Sequence, residues 1–287
     1  VIRLTAVITC HNRRESTLTC LRALASSCPI GVSLAAVVAD DGSRDGTADA
    51  VSAEFDWVTV LKLEGTSFWA RGMAEAEHVA LQSDPDFLLW LNDDVVLDKD
   101  AVQELLATLE SCGQVIVVGA LRDPQTAAVT YSGYRTGWHP LRLSLVSPSG
   151  RPAQVDTFNG NVVLLPRSVI HIVGNIDGEF EHALADLDYG LRTRAAGQRA
   201  FVASKTVGLC RRNSLIGSWR DSNLNVQTRW RLLLGPKGLP PRSQARFLRR
   251  HGGHIWPLLW VIPYLKFLGG ISRSLRRSDR HTNVDAA

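Results

Sequence analysis

The run VVADDGSRDGT, Val37 to Thr47, constrains this chain more than any other stretch. An apolar strand ends in two carboxylates, a glycine follows, and a second Asp-Gly-Thr opens a helix. Asp40 and Asp41 therefore stand at the carboxyl end of a buried strand, where open α/β sheets bind ligands. In LLWLNDDVVL, Leu88 to Leu97, another apolar strand runs into Asn92, Asp93 and Asp94. Two strands that bring acids to one sheet edge suggest a nucleotide held partly through a divalent cation.

Around these runs the first 120 residues alternate strand and helix. Strands are predicted over Arg3–Thr9, Ser33–Asp40, Trp57–Leu63, Phe87–Leu91 and Val115–Ala120. Helices are predicted over Glu15–Ser26, from Thr47, over Trp69–Gln82 and over Asp100–Cys112. Short buried strands between amphipathic helices imply an α/β, doubly wound, mainly parallel sheet. From Leu121 to Val155 the pattern loosens into loop and short antiparallel strands. Asn159–Pro166 resumes a strand, helices follow near Arg167–Val173 and Leu184–Ala196, and Ala200–Ser204 is a last short strand. Three parts are thus expected: a nucleotide-binding half over 1–120, the rest of the same domain over 121–204, and a basic helical C-terminal extension over 205–287.

Charge supports that last division. From Lys205 onward, 16 Lys and Arg face three acids, although the whole chain carries only +4. A basic tail on an acidic body points either to an anionic surface partner or to an ordinary solvated helix. Trp256, Trp260 and Tyr264 among flanking arginines suggest an interfacial anchor, with packing on the core or on a second subunit as the alternative. Ile255–Gly270 is too short and too broken by Pro257, Pro263 and Lys266 to span a bilayer, which needs about 20 residues. Five scattered cysteines without a CxxC pair argue against disulfides and zinc and favour a reducing, cytoplasmic setting. The strand pattern starts at once, so no leader peptide is expected.

Each acidic cluster has a chemical and a structural meaning. Asp41 can accept the imide N3–H of uracil or thymine, or, like Asp40 and Asp45, cap a turn. Asn92, Asp93 and Asp94 suit Mn²⁺ or Mg²⁺, which bind through one or two carboxylates plus substrate phosphates, or else form a solvated turn. Asp188 and Arg192 are spaced as an i,i+4 ion pair. Asp186, near a helix start, either complements the helix dipole or serves as a general base. In TCHNR, His11 and Arg13 can meet nucleotide or phosphate, as can Lys62, Trp69 and Arg71 around the Gly65–Gly72 loop. The first strand is followed by no GxGxxG, and no GxxxxGK[ST] occurs, which disfavours a dinucleotide dehydrogenase and a P-loop NTPase.

In order and spacing, TCHNR, VVADDGSRDGT, SFWARGM, LLWLNDDVVL, FNGNVVLLPR and DLDYGLRTRAAG resemble the family 2 glycosyltransferases from Leu4 to Ser204. The motif style is nearest to bacterial polysaccharide and rhamnosyl-type members. The resemblance implies a GT-A fold, an inverting transfer from a UDP- or dTDP-sugar, and a glycan or lipid-linked glycan acceptor. It gives base recognition to Asp41, the metal to Asp94, and the ribose or diphosphate to Asp93. Thr9, His11, Arg13, Lys62, Trp69, Arg71 and Asn92 complete the expected donor site. Asn92 replaces the first Asp of the family's DxD motif. Asp186 takes the catalytic base of its ED motif, with Ala185 in place of the Glu. Cys210 falls near the position of a metal-binding His. Acceptor contacts are expected from Trp138, Phe158, Asn159 and His182, with Tyr134 as a further stacking candidate. A nucleotidyltransferase would carry a glycine-rich loop that TCHNRRES lacks. A nucleic-acid-binding or glycan-binding protein would have no need of three acidic clusters, and no nucleic-acid partner is expected.

Overall fold

The computed structural model describes residues 1–137 and 142–282, with side chains through 269. Contacts divide the chain after Asn213 into two compact units. In the first, β1 (Ile2–Cys10), α1 (Arg14–Ser27), β2 (Val32–Asp40), α2 (Thr47–Glu54), β3 (Val58–Lys62), α3 (Phe68–Leu81) and β4 (Phe87–Leu91) alternate as the sequence pattern predicts. After β5 (Val96–Leu97), α4 (Ala101–Cys112) and β6 (Ile116–Arg122) comes a run of short strands. These are β7 (Val129–Tyr131), β8 (Gly133–Thr136), β9 (Leu143–Leu145), β10 (Ala153–Val155) and β11 (Thr157–Phe158). β12 (Val162–Pro166), α5 (Arg167–Val173), α6 (Ala185–Ala195) and β13 (Ala200–Leu209) complete the unit.

The main sheet runs β10-β13-β6-β12-β4-β1-β2-β3, with β5 on β13 and β7 on β6. β3, β2, β1 and β4 are parallel, while β12 enters antiparallel between β4 and β6. A second small sheet, β11-β8-β9, is antiparallel. β2 lies on one side of β1 and β4 on the other, so successive connections diverge at β1. That switch opens a crevice beyond the strand carboxyl ends. It is the crevice into which β1, β2 and β4 deliver their terminal residues. β13 corrects the expected strand end at Ser204: it continues to Leu209 because Gly208 and Leu209 pair with both β5 and β6.

Burial explains the layering. Leu88–Leu91 and Val162–Leu165 are buried without alternation, as strands covered on both faces must be. Thr17, Leu18, Leu21 and Leu24 of α1 and Val102, Leu105, Leu106 and Leu109 of α4 repeat at helical spacing on the buried side. The second unit holds α7 (Val226–Leu234), α8 (Pro241–His251), a 3₁₀ turn (Gly253–Ile255) and α9 (Trp256–Thr282).

One core group titrates. Both oxygens of Glu77 on α3, with Trp90 Nε1 and Tyr189 Oη, are buried without a well-formed hydrogen bond among the described residues. Burial pushes Glu77 up to about 7. Because the folded value lies above the ordinary one, the stability linked to this proton is whole below about pH 4.5 and fades as pH rises through 7. Glu77→Gln keeps the shape but cannot ionise. It is expected to be more stable than wild type by roughly 2–3 kcal/mol at pH 8 and no more stable at pH 4.5. Denaturant titrations at the two pH values check it, and equal midpoints at pH 8 would refute it.

Candidate active site

The β1–α1 loop turns sharply at Asn12, whose φ is +52°. Asn12 Oδ1 accepts from the Arg44 amide at 2.7 Å, and its own amide donates to Ser43 Oγ at 2.8 Å. His11 Nδ1 lies 2.5 Å from the Asp41 carbonyl oxygen, which fixes the proton on that nitrogen because a carbonyl only accepts. His11 thereby ties the ends of β1 and β2 together. Thr9 Oγ1 stands 2.6 Å from where a Cβ on Gly72 would lie, so the glycine is what lets α3 approach β1 this closely.

The acids after β2 divide their work. Asp40 Oδ1 accepts from the Ser43 amide, and Asp45 accepts from the amides of Arg14 and Thr47, so both cap turns. Asp41 reaches elsewhere. Its Oδ1 accepts from the amides of Gly65 and Ser67 at 3.0 and 3.1 Å, and its Oδ2 from Phe68 at 2.8 Å. Gly42 and Gly65 touch backbone to backbone, since a Cβ on Gly42 would meet Gly65 Cα at 2.9 Å. Phe68 is held at φ +54°. The buried Asp41 carboxylate thus organises the loop that opens α3, with about one lone-pair site, on Oδ2, left for a further donor. Lys62 instead makes an exposed pair with Asp49 at 3.1 Å, and Arg71 is exposed on α3.

After β4, Asn92 Oδ1 accepts from Trp69 Nε1 at 2.8 Å. Arg13 Nη1 donates to Asp93 Oδ1 and to Asp94 Oδ2, each at 3.0 Å, bridging the crevice between β1 and β4. Burial pushes Asp93 up to about 6 against the opposing pull of Arg13. Cys210 Sγ lies 3.6 Å from Asp94 Oδ1. Burial and the adjacent Asp94 hold that thiol up at about 12, so it stands protonated beside the acids.

Asp186 comes to the same crevice from α6. The helix starts after Leu184, held at φ +79°, and Asp186 Oδ2 accepts from the Gly160 amide at 3.0 Å while Oδ1 accepts from Leu187 at 2.8 Å. Burial raises its pKa and these hydrogen bonds oppose the rise. Gly160 is packed between Trp69 and Asp186, and sequence patterning did not single it out. A Cβ there would fall 2.6 Å from the Trp69 ring and 3.3 Å from Asp186 Cβ. Its only sequence signal was a glycine between two asparagines in FNGNVVLLPR. Asn159 also bonds Asp186 and accepts from Tyr134 Oη at 2.7 Å. A continuous set of contacts therefore runs from Tyr134 through Asn159, Asp186, Gly160 and Trp69 to Asn92. Three of the five non-glycine residues with positive φ among the described residues, Asn12, Phe68 and Leu184, stand at loops entering the crevice.

The expected acceptor residues fare unequally. Phe158 is fully buried against Trp90 and Tyr189, so its ring packs the core and offers no face to a sugar, which corrects the expected contact. Asn159 and the half-buried His182 stay beside Asp186 in space and in sequence, respectively, and Trp138 lies outside the described residues.

Among the described residues, no three His, Cys, Asp or Glu side chains converge to hold an ion unaided. Asp93 and Asp94 nevertheless present two hard carboxylates at one edge, which is what Mg²⁺ and similar ions take from a protein when substrate phosphates complete the shell. Two such carboxylates are the donor set for a cation shared with a diphosphate, at oxygens that Arg13 bridges here.

The comparisons agree with this geometry. The profile of glycosyl transferase family 2 matches residues 5–163. No curated protein matches. Among solved structures, S. aureus TarS 1–349 aligns with a TM-score of 0.54 at 15% identity, over 88% of this chain and 72% of that one. GalNAc-T7 with UDP, GalNAc and Mn²⁺ gives 0.58 at 13% identity, over 88% and 55%. Mannosyltransferase PcManGT from Pyrobaculum calidifontis, with GDP-Man and Mn²⁺, gives 0.55 at 17% identity, over 96% and 75%. At such identities these structures establish the GT-A fold, and the profile, covering more than half of the chain and the acids through Asp94, establishes that the chain belongs to glycosyl transferase family 2.

Proposed function

We propose that the protein transfers a sugar, with inversion, from a UDP- or dTDP-sugar to a hydroxyl of a glycan or lipid-linked glycan. The supporting observation is that Asp186 on α6, Gly160 and Trp69 pack together and that Trp69 donates to Asn92, the residue next to Asp93 and Asp94. TarS has been solved with UDP and UDP-GlcNAc, and PcManGT with GDP-Man, in keeping with a nucleotide-sugar donor.

The base and ribose lie over the β1–β2 side, where Asp41 faces the imide edge and Thr9, His11 and the Gly65–Phe68 loop wall the pocket. Arg13 and Arg71 offer cationic partners for the diphosphate. Asp94, with Asp93, would hold Mn²⁺ or Mg²⁺, which supplies Lewis-acid stabilisation of the departing nucleoside diphosphate. Asp186 accepts the proton of the acceptor hydroxyl as its oxygen attacks the anomeric carbon from the face opposite the leaving group. The Gly160 and Leu187 amides keep the carboxylate oriented, and its raised pKa makes it a better base than an exposed aspartate. Asn159 and His182 border the acceptor side. In this reading residues 1–120 serve the donor, the rest of the first unit through Asn213 the acceptor and base, and residues 214–287 a separate task, which moves the expected boundary from 204 to 213.

A thermal-shift series with UDP, dTDP, GDP, CDP and ADP, each with and without Mn²⁺, tests the donor site. UDP or dTDP with Mn²⁺ at about 100 times the dissociation constant should add about 2.7 kcal/mol. The Mn²⁺-dependent part should vanish in Asp94→Ala. An unchanged shift in that variant would remove Asp94 from metal binding, and a larger shift with GDP would reassign the base.

A further inference from the structure

We propose that the outward face of α9 seats the protein on an anionic membrane surface. The helix has two apolar faces with different fates. On one, Tyr264 and Phe267 pack with Trp230 of α7, and Trp260 packs on Tyr264. Trp260 Nε1 donates to the Pro241 carbonyl at 3.0 Å and Tyr264 Oη to that of Leu239 at 2.8 Å. Their polar tips are thus spent inside the unit, which corrects the expectation that Trp260 and Tyr264 themselves form an aromatic anchor. On the other face, Ile255, Leu258, Val261, Ile262, Leu265 and Leu268 are all exposed, Leu258 by 67% and Leu265 by 59%. Their three- and four-residue spacing gathers them into one stripe roughly 20 Å long. Single exposed aliphatics are ordinary, but a contiguous stripe marks an interaction surface.

Charge identifies the occupant. Residues 214–287 contain thirteen Lys and Arg against three acids, whereas residues 1–213 contain nineteen against twenty-five. Arg249 and Arg250 precede the stripe, and Arg273, Arg276, Arg277 and Arg280 follow it. An aliphatic stripe between arginine clusters is the composition of a helix that lies in the headgroup layer of anionic lipid. No helix among the described residues is long and apolar enough to cross a membrane. Two copies pairing stripe to stripe would bring two strongly basic units together, and a nucleic acid would use the arginines but not the aliphatics.

Vesicle flotation of the full chain tests the proposal without involving nucleotide, so its failure leaves the donor site untouched. Phosphatidylcholine vesicles, with and without phosphatidylglycerol, are compared at low and high salt. Wild type should float with the anionic vesicles, less at high salt, and hardly with the neutral ones. Leu258→Glu with Leu265→Glu should lower the partition coefficient at least about tenfold. Ile172→Glu, at an exposed site on α5, should leave it unchanged, and circular-dichroism melting should show both variants folded. Equal flotation of wild type and the double variant would overturn the proposal. So would a dimer that dissociates in the double variant while neither form floats.

Discussion

Asp186→Asn is expected to lower turnover roughly 10²- to 10⁴-fold while leaving UDP or dTDP affinity within about twofold of wild type. The expectation follows from where the carboxylate stands. Its oxygens accept from the amides of Gly160 and Leu187 beside Trp69, whereas the proposed donor site centres on Arg13, Asp93 and Asp94. An amide in its place fills the same volume but cannot take a proton from an attacking hydroxyl. The pH profile provides a second readout. A base works only when ionised, so turnover must fall as pH drops through the pKa of Asp186. Burial raises that pKa above the ordinary 3.8, so the acid limb of the wild-type profile should lie above that of an exposed aspartate. The limb should disappear in Asp186→Asn. Weakened nucleotide binding in the variant would assign Asp186 to the donor site, and turnover within tenfold of wild type would remove it as the base.

The sequence revealed what depends on short-range pattern. Apolar runs ending in acids located β2 and β4 and the crevice edge they share, because apolar runs this short, bounded by turn residues, read as strands rather than as buried helices. The i,i+4 spacing of Asp188 and Arg192 likewise foretold a real ion pair. Cys210, just past the last strand, lies beside Asp94. Long-range partners were not legible. Nothing local says that Asp41 binds amides more than twenty residues away, that β12 enters antiparallel between β4 and β6, or that Gly160 separates Trp69 from Asp186. Phe158 and the aromatics of α9 show the same limit from the other side. An aromatic residue in a loop or tail reads alike whether it stacks on a ligand or packs on a neighbour, and only its contacts decide.

Asp188→Ala should destabilise the first unit by about 3 kcal/mol, the lower end of the 3–5 kcal/mol typical when one partner of a buried ion pair is removed. Asp188 is fully buried, and its Oδ2 accepts from Arg192 Nε at 2.8 Å. The same guanidinium donates to the carbonyls of Val173 and Asn175 at 2.8 and 2.9 Å and stacks on Tyr189. One arginine therefore binds α6 to the end of α5 and to the loop beyond it. Without Asp188 the guanidinium keeps its carbonyl partners and loses its counter-charge. It is still 23% exposed, and that access to water is why the lower figure applies. For a unit of this size the change amounts to roughly 6–12 °C in melting temperature, at about 2–4 °C per kcal/mol. Asp188→Asn, which can still accept from Arg192 Nε, should recover part of the loss. Melting of both variants, and of Arg192→Ala alone and combined with Asp188→Ala, measures the coupling, and additive losses would show that the pair contributes nothing as a pair. Asp188 lies one residue beyond Leu187, whose amide holds Asp186, so the alanine variant should also lose turnover through misplacement of the base. Asp186→Asn, which turns one of two amide-accepting oxygens into a donor, should slow the reaction with a smaller loss in melting than Asp188→Ala, which should lower both together. That contrast separates the group that takes the proton from the ion pair that holds its helix in place.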